Sequence, residues 1–221
     1  MRHPAFVRIT HWITAASFGA LVVSGVAILL AHPRLYWGET GALGAPSLID
    51  LPLPMNLTGQ TGWGRSLHFL SAWIAVLTGA LYVAAGVITG HFGARLLPTK
   101  TDRSWSSVRQ ALLDHRRPWR LTNDSPSYNV IQRLAYLAVI FVLFPLMIWT
   151  GLAMSPAITS VIPALVSVLG GHQSARTIHF IVANLLLVFV LVHLAMIVLT
   201  GFWRRMRAMI TGHVPVEWEG I

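Results

Sequence analysis

The chain has 221 residues, 55% of them hydrophobic and only 10% charged, with a mean hydropathy of +0.64. A soluble domain carries about 25% charged residues, so this composition excludes one and points to lipid. Cysteine is absent, which excludes disulfides, iron–sulfur clusters and thiolate zinc sites; the formal charge of +9 suits nucleic acid only until its distribution is followed along the chain.

The first apolar run covers about 6–31, with Arg2 and Arg8 at its start. That pattern opens a signal peptide too, but the stretch exceeds a signal core of about 7–15 residues and no small-residue cleavage site precedes Pro33 and Arg34. It therefore reads as a span, with His11 near its entry in RITHWITAASF. Segment 32–66 is rich in Gly and Pro, and its Leu35, Tyr36 and Trp37 are apolar enough to lie at the membrane interface or to meet a partner protein.

A second run, about 67–90, opens with GRSLHFLSAW and carries His68. Segment 91–129 is basic and contains SWSSVRQALLDH, where Ser104 would cap a helix lying on the membrane surface. The third run, about 130–154, has no histidine and is entered through SYNVIQRLAY. In segment 155–177, Ala157–Leu169 is expected to form a short surface helix after Pro156. The fourth run, about 178–200, carries His179 and His193. Each run reaches the ~20 residues of a spanning helix.

Four spans put both termini on one side. That side holds Arg2, Arg8, Arg95, Lys100, Arg103, Arg109, Arg116, Arg117, Arg120, Arg133, Arg204, Arg205 and Arg207, against Arg34, Arg65 and Arg176 on the other. Cytoplasmic loops carry the Lys/Arg excess, so the basic charge is a topology signal and an attraction to anionic lipid, with no nucleic acid implied. The expectation is an all-α, integral membrane four-helix bundle forming one domain over 1–221, with both termini and loop 91–129 cytoplasmic.

His179 and His193 are fourteen residues apart. At about 100° and 1.5 Å per residue they return to within roughly 40° of one helix face, about 21 Å apart along it. Intramembrane ionisable groups are costly and default to a functional role. The span directions put His68 and His179 near the outer edge, and His11 and His193 near the inner edge. A single histidine on an apolar helix is as readily an ordinary buried one; four at paired depths are much harder to dismiss. All seven acids, Glu39, Asp50, Asp102, Asp114, Asp124, Glu217 and Glu219, lie outside the spans, whereas zinc and di-iron sites usually recruit carboxylates or thiolates. Two imidazoles across a flat macrocycle make a six-coordinate haem suited to electron transfer. Two haem b groups are thus expected, one on His11 and His193 and one on His68 and His179.

Gly25, Gly79 and Gly86 fall on histidine-bearing faces, where they would admit a bulky ring or simply close helix packing. Arg8, Arg65 and Arg176 each precede a histidine by three residues; one turn is the reach for haem propionates, and topology arginines are the competing explanation. His3, His32, His91, His115, His172 and His213 read as solvated or interfacial.

RITHW, RSLHF and RTIHFIVANLLLVFVLVH together resemble the bacterial di-haem cytochrome b family, the cytochrome b561 type that serves hydrogenases, formate dehydrogenases and thiosulfate-reductase-like molybdoenzymes. The resemblance covers essentially the whole chain. It implies the same two ligand pairs, residence in the bacterial inner membrane, and electron exchange between the quinone pool and a partner. HPRLYWGETG looks most like members paired with periplasmic molybdopterin oxidoreductases; the extra length of 32–66 keeps partner identity from transferring. For quinone chemistry, Asn129, Gln132 and Tyr136 at the entry of the third span offer hydrogen-bonding groups, although a polar helix entry at the headgroup layer has the same composition. Alternatives are a stand-alone quinone-reducing oxidoreductase using superoxide, a hydrogenase cytochrome b subunit, or a redox-inert anchor or transporter; the absence of membrane carboxylates weakens a proton-coupled transporter.

Overall fold

The computed structural model describes residues 4–41, 44–53, 62–95, 130–199 and 201–212. With no water in hydrocarbon to take up N–H and C=O groups, a spanning backbone must satisfy itself as a helix, and the apolar runs do so. Helix α1 is Ala5–Ala31; a two-residue antiparallel pairing, β1 (Arg34–Leu35) with β2 (Ile49–Asp50), follows, and then α2 (Trp63–Ile88) and the short α3 (His91–Arg95). Next come α4 (Val130–Ala138), a π-helical turn Val139–Leu143, α5 (Phe144–Ala153), α6 (Pro156–Thr159), α7 (Ala164–Ser167), α8 (His172–Leu199) and α9 (Phe202–Thr211). Among the described residues four stretches are long and apolar enough to cross a membrane: α1, α2, Arg133–Ala153 and α8.

Three expectations need correction. Helices α2 and α8 start at Trp63 and His172, before the apolar runs begin, because polar first turns such as GRS and HQSAR are helical too. The third span is not one uninterrupted α-helix. Pro145 has no N–H and its ring crowds the carbonyl four residues back, and the chain widens into a π turn just ahead of it. The expected helix Ala157–Leu169 is split into α6 and α7, with Pro163 at the N-cap of α7. The surface helix expected at Ser104 lies outside the described residues.

The spans are apolar outside and small or polar inside. Leu70, Leu77, Leu81, Val188 and Leu191 are exposed, while Thr10, Ser17, Ser24, Ser71, Thr78, Thr150, Ser174 and Thr177 are buried. Between helices in lipid there is no hydrophobic drive, so small and hydroxyl side chains carry the packing.

The chain divides into two compact units. In the first (Met1–Trp12, Gly79–Phe141 and Leu187–Ile221), α9 is tied to the start of α1: Arg8 Nη1 donates to the Ile210 carbonyl and Trp12 Nε1 to that of Met209 at 3.1 Å. Rings of Phe6, Tyr82, His91, Phe92 and Phe141 form an aromatic cluster. In the second unit (Ile13–Thr78 and Val142–Leu186), residues 36–39 clasp the start of α8. The Gly38 carbonyl accepts from the Gln173 and Ser174 N–H groups, Gly38 N–H donates to Ser174 Oγ, Thr177 Oγ1 donates to the Tyr36 carbonyl, and Glu39 accepts from His172 N–H. These contacts satisfy the otherwise orphaned donors of the helix that bears His179. They also correct the expectation for the loop: Leu35 and Tyr36 are buried, and only Trp37 projects, 59% exposed.

Candidate functional site

In the second unit His68 on α2 and His179 on α8 face one another, ring centroids 6.3 Å apart and planes at 59°. Ser24 Oγ of α1 lies 3.0 Å from Nδ1 of His68, and Thr150 Oγ1 of α5 lies 2.9 Å from Nδ1 of His179. Each hydroxyl also bonds a carbonyl one turn back, Ser24 to Ala20 at 2.7 Å and Thr150 to Leu146 at 2.8 Å. A hydroxyl has one proton to give. With that proton on the carbonyl, the oxygen accepts from Nδ1–H, which leaves the imidazole lone pair on Nε2. That is the tautomer a metal ligand requires.

The residue after each hydroxyl is glycine. A Cβ on Gly25 would stand 3.7 Å from Cε1 of His68, and one on Gly151 would stand 3.6 Å from Cε1 of His179. Gly25, on the helix face that carries His11, thus lies beside the edge of His68. Gly79 has open space around it, whereas Gly86 forms a notch for Phe92, whose Cζ would be 2.5 Å from an added Cβ; Gly86 serves ring packing.

In the first unit His11 and His193 are 6.4 Å apart between centroids, with planes at 55°. Phe189 stacks on His193 at 6.1 Å and 13°, Tyr136 meets the same ring edge-on at 6.4 Å, and Trp12 packs edge-on against His11 at 5.2 Å. Nδ1 of His11 is buried with no hydrogen-bond partner. Among the described residues no third His, Cys, Asp or Glu joins either pair to make a metal cluster.

The arginines are placed differently from one another. Arg8 is tied to α9 by one nitrogen while its Nε is buried without a partner. Arg176 donates to the His32 carbonyl, and Arg65 is exposed. Burial, then the charges of Arg176 and Arg65, hold the His32 imidazole below its ordinary pKa, so it stays neutral near pH 7. Of the other histidines read as solvated, His91 sits in the aromatic cluster and His172 lies 3.6 Å from the Glu39 carboxylate. Asn129 and the side chain of Gln132 lie outside the described residues.

A profile described as prokaryotic cytochrome b561 matches residues 2–212. The chain belongs to the prokaryotic cytochrome b561 family. It is 31% identical over 216 residues, 96% of each chain, to a protein of Azospira oryzae named as a putative protein-methionine-sulfoxide reductase subunit, YedZ1. No solved structure matches the chain. As a cytochrome b561, it is a haem b protein of a prokaryotic membrane, built from helices long enough to cross it. Sequence reasoning singled out the four histidines that the structure brings together as two pairs; it passed over Ser24 and Thr150. The dipeptides Ser24–Gly25 and Thr150–Gly151, a hydroxyl next to a glycine within an apolar span, were the available signal.

Proposed function

We propose that this cytochrome b561 is a di-haem electron-transfer subunit, with His68 and His179 ligating one haem and His11 and His193 the other. The observation that carries this is the spacing of the two pairs. A metal–imidazole bond is about 2.0 Å and a ring centre lies about 1.2 Å behind its nitrogen, so two rings holding one metal between them would have centroids no more than about 6.4 Å apart. The pairs stand at 6.3 and 6.4 Å. Two imidazoles with no acid beside them among the described residues, in a chain without cysteine, would suit haem, whose macrocycle supplies its own metal ligands.

When bound, haem supplies one-electron carriage. The chain supplies the rest: Ser24 and Thr150 hold two ligands in the Nε2 lone-pair form, Phe189 and Tyr136 fix the plane of His193, and Arg8, Arg65 and Arg176 are the cations available to propionates. We place a quinone site at the entry of the third span, formed by Asn129, Gln132 and Tyr136; the contact of Tyr136 with His193 supports it. The charge bias supports cytoplasmic termini in a bacterial inner membrane. The name of the Azospira oryzae relative supports a protein-methionine-sulfoxide reductase as partner, and we place that partner on the periplasmic side, opposite the cytoplasmic termini. Reducing a sulfoxide to a thioether consumes two electrons and two protons and releases water, so electrons would run from quinol outward. The resemblance of HPRLYWGETG supports a molybdopterin enzyme in that role, with exposed Trp37 as a contact.

The test is a reduced-minus-oxidised spectrum with a haem-to-protein count on the wild type and on His11→Ala, His68→Ala, His179→Ala and His193→Ala. Two haems per chain are expected. His68→Ala and His179→Ala should lose the same one, and His11→Ala and His193→Ala the other. Any other grouping, or one haem in the wild type, rejects the assignment. Quinol-driven haem reduction unchanged by Asn129→Ala and Gln132→Ala rejects the quinone site.

A further inference from the structure

The two histidine pairs are held in different ways. Around His68 and His179 the same small device occurs twice, on helices that bear neither ligand. Ser24–Gly25 on α1 meets His68, and Thr150–Gly151 on α5 meets His179. In each case the hydroxyl lies at hydrogen-bond distance from Nδ1 and, with its own proton on the carbonyl one turn back, accepts from Nδ1–H, while the glycine that follows leaves the ring edge at Cε1 clear. A directional hydrogen bond at Nδ1 from a neighbouring helix orients the ring and sets its tautomer. Both hydroxyls are deeply placed, with Ser24 and Thr150 at 0% exposure, so water does not substitute for them. The His11 pair has no such device: Nδ1 of His11 is buried and unpartnered, and His193 is held by ring stacking.

A hydrogen bond donated from Nδ1–H makes the imidazole a stronger electron donor through Nε2 and stabilises the more highly charged, oxidised metal. We propose that Ser24 and Thr150 are positioning residues that orient His68 and His179 and lower the reduction potential of the haem those two hold, without acting on the other haem. The inference rests on His68 and His179 being haem ligands.

The experiment is a spectroelectrochemical titration of the haem-loaded protein for Ser24→Ala, Thr150→Val, Ser24→Thr and Thr150→Ser, with haem counted in each. Both haems should be retained. Ser24→Ala and Thr150→Val should each shift the same midpoint upward, the one missing from His68→Ala, and leave the other unchanged. Their ferric low-spin resonance should change as the ligand plane loosens, and the hydroxyl-retaining variants should titrate like wild type. Loss of a haem in Ser24→Ala that Ser24→Thr restores also supports the proposal, because only the hydroxyl distinguishes the two. Two retained haems with both midpoints unmoved would overturn it, as would a shift confined to the haem missing from His11→Ala or a haem lost in both Ser24 variants. Failure of the underlying ligand assignment looks different: His68→Ala would then keep both haems.

Discussion

Gly170 and Gly171 are adjacent, both have positive φ, and their replacement by alanine should have unequal effects. Gly171 has φ +117°, and a Cβ there would stand 2.5 Å from the Gly38 carbonyl oxygen and 2.7 Å from Glu39 N. Those atoms are backbone, so relief requires moving the 36–39 segment off the start of α8. Moving it breaks the two bonds to the Gly38 carbonyl and the bond from Gly38 N–H to Ser174 Oγ. Backbone strain of about 1–3 kcal/mol and a net ~1 kcal/mol for each lost hydrogen bond overlap, since relief of one causes the other; about 3 kcal/mol is the expected total. For a chain of this size that lowers Tm by roughly 6–12 °C. Gly170, at φ +82°, has its nearest contact at 3.5 Å, to a side-chain oxygen. Only the left-handed backbone is penalised there, about 1–2 kcal/mol. Thermal denaturation of the purified protein in detergent, followed by haem absorbance, distinguishes the two. Equal Tm shifts for Gly170→Ala and Gly171→Ala would refute the clasp argument, because only one of them meets backbone.

Leu35→Ala should cost about 2–5 kcal/mol, since Leu35 is 1% exposed, while Trp37→Ala should leave Tm within a degree or two; the same melts compare them. Gly86→Ala should destabilise by about 1–3 kcal/mol through overpacking against Phe92, and the double variant with Phe92→Leu should recover most of the loss. If each haem has two histidine ligands, carbon monoxide should leave the reduced spectrum of the wild type unchanged, and a shift on adding carbon monoxide would reject that ligation.

The sequence made the four spans legible because lipid demands a long apolar run for each, and it made the histidines legible because a charge-capable side chain in such a run needs a reason. Boundaries were less accessible. The apolar count misses polar helical turns such as HQSAR, and Pro145 and Pro163 announced interruptions that run length alone overlooked. Leu35 and Tyr36 looked like an interface because they are apolar residues in a loop; both are buried, and the segment that carries them is held by residues 173–177, more than 130 positions away in the chain. The hydroxyls were legible in type but not in partner. Ser24 and Thr150 resemble the other buried hydroxyls in composition, and only the folded geometry separates them from Thr10, whose hydroxyl bonds the Phe6 carbonyl of its own helix.

A third span without histidine initially reads as a wall. In the folded chain it does more than supply a wall, because Thr150 meets His179 and Tyr136 meets His193. A helix that carries a ligand can set where the ligand's Cα is, but the orientation of an imidazole about its own bonds has to be fixed from outside. In lipid, where helix packing favours small and hydroxyl residues in any case, a serine or threonine on a neighbouring helix meets that need, because its hydroxyl takes the ring N–H. The span that lacks histidine is therefore free to supply that support to α8, and its loss should be read in the state of the haem before it is read in the stability of the fold.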